Sequence, residues 1–359
     1  MEQEANGNAG NRIKGFSEII GQEAAVDFLQ RVLAGDKIPH AYLFTGISGV
    51  GKTTAALAFT RALNCTAPRG GEGCGSCVPC RQMNGGNLPD LEVLRPDGRV
   101  IKIEQVRELA RRIGLKTVAA RNRVSIVERA ETMTVEAANA FLKTLEEPPP
   151  GNILVLETLD KKDLLPTILS RCQTVPFRPV PSDTLAAWLQ REHGVPGETA
   201  ALLARLSEGS VGRALGMARS SELADRMQSH MQVIAGLRGR SPAEILGTAV
   251  RYAREERKRS GEAGEEGDEG GLRAVLALWK TCFRDMMVHK CRGPVDLLML
   301  GEGDGALKTM SRSYTIDGLV ESMMILDRAQ RDLNRSRNLD LMMETALLSL
   351  KRLAEQGTS

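Results

Sequence analysis

The stretch "GISGVGKTT", residues 46–54, sets Gly46, Gly49, Gly51, Lys52, Thr53 and Thr54 in the pattern G-x-x-x-x-G-K-[ST]. It follows the apolar run "AYLF" and precedes the helix-forming "TAALAFTRAL", the strand–loop–helix context this pattern requires. Glycines let such a backbone curl so that its N–H groups face phosphate oxygens at the positive end of a helix. Lys52 is then placed to reach the β- and γ-phosphates, and the Thr53 hydroxyl to hold Mg2+. The expected ligand is a nucleoside triphosphate, ATP, with Mg2+.

A hydrolase of this kind also needs acids at the end of a buried strand, one for the cation and one to activate water. The run "VSIV" (124–127) has the character of that strand, but Glu128 and then Arg129 follow it. Glu128 can still approach a cation, one methylene longer than an aspartate. Arg129 cannot act as a base, because a guanidinium stays protonated. Loss of a positioned general base costs about 10²–10⁴ in rate. Using Glu131 instead requires an awkward change of strand register.

The third grouping is Cys65, Cys74, Cys77 and Cys80, spaced C-x8-C-x2-C-x2-C within "NCTAPRGGEGCGSCVPC". Four thiolates separated by Gly, Ser and Pro can wrap one tetrahedral ion. With all four positions sulfur, the ion has no open site, so its role is structural, and Zn2+ is the expected metal. An iron–sulfur cluster is the main rival, but its pattern calls for a further Cys-Pro just downstream, which this sequence lacks. Spare thiols are the remaining alternative. Cys172, Cys282 and Cys291 read as ordinary buried thiols.

Five short apolar runs supply the strands that would position these groups: 40–46, 91–96, 123–128, 152–158 and 172–177. They alternate with helical patterns, which predicts a parallel sheet covered by helices. Beyond "FRPVP" the strand signals stop. Leu276, Trp279, Phe283 and Met286 recur at helical spacing, as do Leu339, Met342, Met343, Ala346, Leu347 and Leu350, and both stripes read as core. The predicted organisation is a disordered tail over 1–15, an α/β nucleotide domain over 16–177 with a metal module at about 62–90, a helical section over 178–237 and a second helical domain over 238–359. The charged, Gly-rich 254–271 reads as a solvated loop or a helix end with a flexible tail.

The 359 residues are 42% apolar and 26% charged, ordinary for a soluble protein of two or three domains. Aromatics make up only 3%, which argues against base-stacking platforms, and a net charge of +3 does not by itself imply a polyanion partner. No membrane span or apolar leader is evident, so a cytoplasmic location is expected. Local charge is another matter. Between Arg95 and Arg123 nine Lys or Arg face three acids, and Arg107 and Arg111, with Arg112 beside them, share a helical face. This face is either simply solvated or a surface for DNA phosphates.

Several motifs converge: "FSEIIGQE", "HAYLFTGISGVGKTT", the four-cysteine insert, "ANAFLKTLEEPPPGNILVLET" and "LPTILSRCQ". Together, over about residues 14–220, they resemble the bacterial clamp-loader ATPases of the AAA+ class, the delta-prime and gamma/tau subunits of DNA polymerase III. The resemblance implies a fold that is α/β and then all-α: a RecA-like AAA+ domain with a zinc module, a helical lid, and a C-terminal helical collar. It implies assembly with gamma/tau and delta subunits into a pentameric ring that opens the sliding clamp and places it on primed double-stranded DNA. Thr158 matches the sensor of the γ-phosphate and Arg213 the lid arginine that contacts nucleotide. Arg171, in "SRC", matches the arginine that completes a neighbour's ATP site. In the active gamma/tau type the strand ending at Val127 continues as Asp-Glu. With Glu128-Arg129 in that place and Arg171 retained, the sequence favours the delta-prime type, which binds ATP, hydrolyses it poorly and donates an arginine in trans. The chain also stops soon after the collar, without the long extension of tau.

Overall fold

The computed structural model describes residues 15–356, apart from 36, 99, 119, 220–228, 263–271, 295–296, 301–305 and 334–337. The predicted tail before residue 15, Arg99 of the basic stretch and much of the charged segment therefore lie outside the described residues. The chain divides into two compact units, one running to Thr184 together with Gly209–Val211, the other comprising Leu185–Glu208 and Gly212 onward.

In the first unit all five apolar runs are strands: β1 (Ala41–Thr45), β2 (Leu91–Leu94), β3 (Arg123–Val127), β4 (Asn152–Thr158) and β5 (Gln173–Pro176). They form one parallel sheet in the order β2-β3-β4-β1-β5. The central strands are apolar at nearly every position because both faces are covered. On one face Tyr42, Phe44, Val124, Ile126 and Val155 pack with Leu29 of α1 (Glu23–Ala34) and Phe59 of α2 (Lys52–Asn64). On the other, Leu43, Val127, Leu154 and Leu156 meet α4 (Ile103–Ile113) and α5 (Val135–Glu146). A short helix, α3 (Val78–Asn84), sits in the insert between α2 and β2. This is a parallel α/β arrangement with the phosphate loop following a central strand.

Helix α5 buries Ala138, Phe141 and Leu145 as its periodicity predicts, with Leu142 half-buried. Thr134 caps its start by accepting from the Ala137 N–H at 3.2 Å, and three prolines from Pro148 prevent continuation. The single turn α6 (Pro166–Leu169) leads through Arg171 into β5.

Among its described residues the second unit is helical: α7 (Ser182–His193, most of which belongs here), α8 (Gly197–Leu206), α9 (Val211–Arg219), α10 (Pro242–Glu262), α11 (Leu272–Lys290), α12 (Ala306–Ser311), α13 (Ile316–Leu333) and α14 (Leu339–Gln356). Leu276, Trp279, Phe283 and Met286 of α11 are fully buried, as are Met343, Leu347 and Leu350 of α14. Helix α11 packs on α13, and α10 on α14. One expectation needs correction. Cys291 is exposed, because α11 ends at Lys290 and leaves it in the following turn. The residues 254–262 continue helix α10, the helix-end alternative expected for the start of the charged segment.

A phosphate loop, a displaced acid and a four-cysteine module

Strand β1 delivers the phosphate loop to the carboxyl edge of the sheet. Gly46 donates to the Thr158 carbonyl at 3.1 Å, and a Cβ there would lie 2.5 Å from the Phe177 carbonyl oxygen, so no other residue fits. Gly51 begins α2 in the left-handed region, at φ 110°. Gly49 also has positive φ, and Thr53 and Thr54 occupy the first turn of α2. Lys52 is buried, and its Nζ donates to the carbonyls of Gly46 (2.7 Å) and Ile47 (2.9 Å). Burial pulls this ammonium below its ordinary value, against the carboxylates of Glu157 and Glu131, which favour its charge.

Two neighbours hold the loop from behind. The Gln22 amide nitrogen donates to the carbonyls of Arg178 (2.6 Å) and Val50 (3.5 Å). The Ser210 hydroxyl donates to the Ser48 carbonyl at 2.8 Å. Thr158 is buried beside the loop, paired with Thr45 across the sheet, and its hydroxyl donates to the Asp160 carbonyl at 3.1 Å.

At the end of β3 the acid position is diverted. Glu128 accepts from Arg95 Nε at 3.2 Å. Arg129 adopts φ 52°, ψ 49° and starts a 3-10 turn over Ala130–Thr132. The chain therefore leaves the strand after Val127, and Glu131 returns close enough to Lys52 to support its charge. The strand-register objection to Glu131 does not apply, since the residue is not on a strand.

The acid that meets the phosphate loop is Glu157, on β4. Thr53 Oγ1 donates to its Oε2 at 2.8 Å, while Oε1 is buried with no partner among the described residues. Burial pushes this carboxyl up to about 7; Glu128 and Glu131 add to the rise, and Thr53 and Lys52 oppose it. Sequence reading passed over Glu157. Its signal is an acid inside "NILVLET", where a strand covered on both faces has little reason to carry one.

The four cysteines converge. Cys65 ends α2, Cys77 caps α3, Cys80 lies inside α3, and all four sulfurs lie within 4.8 Å of one another. Backbone N–H groups of Ala67 and Cys74 donate to the Cys65 sulfur, at 3.4 and 3.2 Å, and that of Cys77 to the Cys74 sulfur at 3.4 Å. Sulfurs about 2.3 Å from one Zn2+ stand about 3.8 Å apart in a tetrahedron, so this cluster fits the ion with slight contraction. Hydrogen bonds from Ser76 bring the Cys74 thiol down to about 5, while burial pushes Cys80 up to about 12. Arg61, buried on α2, donates to the Gly73 carbonyl at 3.3 Å and ties the loop to the helix.

Within the first unit, Arg171 and the basic residues of α4 do not join this site. Arg171 follows α6, where it donates to Thr167 O at 2.8 Å and Glu146 Oε1 at 2.5 Å. Gln173 pairs with Tyr42 at the start of β1, so Arg171 lies at the amino end of the sheet. Its own phosphate loop is at the opposite end, about 13 Å farther along the strand. Arg213 belongs to the second unit, where it pairs with Glu208 at 3.2 Å. On α4, Arg107 is exposed, whereas Arg111 and Arg112 are paired with Glu108, and Arg112 also with Glu92. Arg123 does not belong to any basic surface. It is buried against Asp90 at 3.3 Å and donates to the Leu115 and Lys116 carbonyls.

Sheet order, phosphate loop and cysteine insert define an α/β phosphate-loop domain carrying a four-cysteine module. Residues 21–181 match the family described as "DNA polymerase III, delta subunit". They form a DNA polymerase III delta-subunit-like domain. The chain is 36% identical over 204 residues to the DNA polymerase III subunit delta' of Bacillus subtilis, covering 57% of this chain and 61% of that one. It is 35% identical over 205 residues to the tau/gamma subunit of Haemophilus influenzae, covering 56% and 30%. A solved gamma subunit-related protein of Thermotoga maritima aligns at 18% identity and TM-score 0.49, over 92% of this chain and 99% of that one. The chain thus spans less than two thirds of the length of the two sequence relatives. Among the described residues no helix is long and apolar enough to cross a membrane.

Proposed function

We propose that the protein is a clamp-loader subunit of the delta-prime type, which binds ATP with Mg2+, hydrolyses it poorly and completes the ATP site of a neighbouring subunit with Arg171. The observation that carries this reading is one of position. Arg171 stands at the end of the sheet away from its own phosphate loop, on a surface turn before the edge strand β5. That position suits a triphosphate held by a neighbouring subunit across an interface. An arginine supplied in trans is worth about 10³–10⁵ at the site it completes. The protein's own site, by contrast, has Glu128 tied to Arg95 and Arg129 in place of a base.

In this reading Lys52, the loop N–H groups and Thr53 hold the triphosphate and its cation, and Thr158 monitors the γ-phosphate. The cysteine module takes a structural Zn2+. Exposed Ile316, Val320 and Met324 recur every four residues on α13, supporting a role for this helical unit in assembly with gamma/tau and delta subunits. The ring so formed would act on the sliding clamp and on primed DNA in the cytoplasm, with Arg107, Arg111 and Arg112 facing the phosphates. A second reading, the hydrolytically active gamma/tau type, draws on the intact loop and on Glu131 beside Lys52.

Reconstitution with clamp-loader partner subunits separates the two. In the delta-prime reading the chain alone turns over little ATP, it co-elutes with its partners, and Arg171→Ala lowers the ATPase of the complex. Appreciable turnover by the isolated chain, abolished by Lys52→Ala, would overturn it.

A further inference from the structure

We propose that Glu157 is the carboxylate that receives the divalent cation accompanying nucleotide at this phosphate loop, a task moved from the end of β3 to the end of β4. The inference rests on the nucleotide-binding reading and is independent of the delta-prime assignment.

Glu128 and Glu157 follow the paired residues Val127 and Leu156 at adjacent strand ends, and Glu157 is turned toward α2, where Thr53 reaches it. They have different partners. The Glu128 carboxylate, 20% exposed, is held by Arg95 outside the loop. Glu157, 4% exposed, accepts a hydrogen bond from Thr53, the hydroxyl that the loop offers to a cation. Its second oxygen is buried without a partner among the described residues. Lys52, whose charge favours the ionised form of Glu157, directs its Nζ to the Gly46 and Ile47 carbonyls instead.

A buried carboxylate with an unanswered oxygen is costly unless something of opposite charge completes it. Oxygen donors from a carboxylate and an adjacent hydroxyl suit a small hard cation such as Mg2+, which keeps several waters and takes one or two protein ligands beside the phosphates. The orphaned oxygen, the bound Thr53 hydroxyl and the diverted Glu128 converge on one assignment. Glu157 supplies the charge, Thr53 orients it, and Glu128 is bound elsewhere.

The test is the Mg2+ dependence of nucleotide binding by the full-length chain, read with a fluorescent ATP analogue in the presence and absence of Mg2+. Electron paramagnetic resonance of Mn2+ provides a direct count of bound cation. We expect Mg2+ to tighten nucleotide binding by the natural chain, and Glu157→Gln to reduce that gain by about tenfold or more. Glu157→Asp, which keeps the charge on a shorter stem, retains part of it, and the nucleotide-bound Mn2+ signal falls in the same order. Full Mg2+ enhancement in Glu157→Gln, enhancement lost in Glu128→Gln alone, or no enhancement in the natural chain would each overturn the assignment. Failure of the nucleotide reading itself looks different: no saturable binding, or binding that Lys52→Ala leaves unaltered.

Discussion

If Glu157 is kept for a ligand, it should weaken the protein that carries it when no ligand is present. Its ordinary value is 4.5 and burial raises it to about 7, so the folded state holds this proton more tightly than the unfolded state does. The sign follows from linkage. The contribution of Glu157 is fully favourable below 4.5 and is lost as pH rises toward and through about 7, because the folded chain must then carry a buried charge. Two and a half decades in proton affinity, at about 1.4 kcal/mol per decade, set a ceiling of about 3.5 kcal/mol. Glu157→Gln is uncharged at every pH and can still accept from Thr53. The attraction to Lys52 is already contained in that value, but an amide replaces the buried carboxyl imperfectly, which lowers the net gain to about 1–2 kcal/mol.

The expected result is that, without nucleotide or added divalent cation, Glu157→Gln is more stable than the natural chain by about 1–2 kcal/mol near pH 8, and nearly equal to it near pH 5. Amide hydrogen exchange in β1 and β4 reads this unit specifically, with urea unfolding as a second measure. Chelators are to be avoided, since they attack the cysteine module. Losses common to both proteins at low pH, such as thiolate protonation, cancel in the difference. A difference that does not change with pH, or a natural chain more stable than the variant near pH 8, would refute the reasoning.

Other perturbations test the neighbouring architecture. Asp90→Ala leaves the buried Arg123 guanidinium without its carboxylate and frees the Val118 and Ala120 N–H groups. It should cost about 3–5 kcal/mol in urea unfolding. Cys77→Ser should abolish stoichiometric zinc by metal analysis and raise exchange rates across 65–80, with β1 and β4 far less affected. Arg129→Gly suits φ 52° and should range from neutral to about 1 kcal/mol stabilising, whereas Arg129→Val should destabilise, as thermal unfolding would report. Replacing Arg107 and Arg111 together by alanine should weaken primed-DNA binding by the reconstituted complex uniformly across sequences and reduce its salt slope by about 1–2. Unchanged binding would mean a merely solvated face.

Where the sequence could be read, the information was local. Five apolar runs became five strands, the central β1, β3 and β4 covered on both faces, and the stripe of Leu276, Trp279, Phe283 and Met286 became core because helical spacing alone sets its face. The phosphate loop and the four cysteines were legible for the same reason, since ligand and metal geometry restrict residues close together in the chain. What escaped depended on neighbours far apart in sequence. Arg123 counts as one more basic residue until β2 brings Asp90 beside it, 33 positions away. Glu131 is misplaced for a strand that continues past Val127, but Arg129 in the left-handed region redirects the chain. Glu157 is the instructive case. The absence of Asp-Glu after Val127 directs attention along one strand, yet in a parallel sheet the ends of β3 and β4 are adjacent whatever their separation in sequence. An acid can therefore move sideways to the next strand and still face the helix that carries Lys52 and Thr53. For phosphate-loop domains that lack the expected acids, the neighbouring strand ends should be searched for a buried carboxylate before the cation site is judged lost.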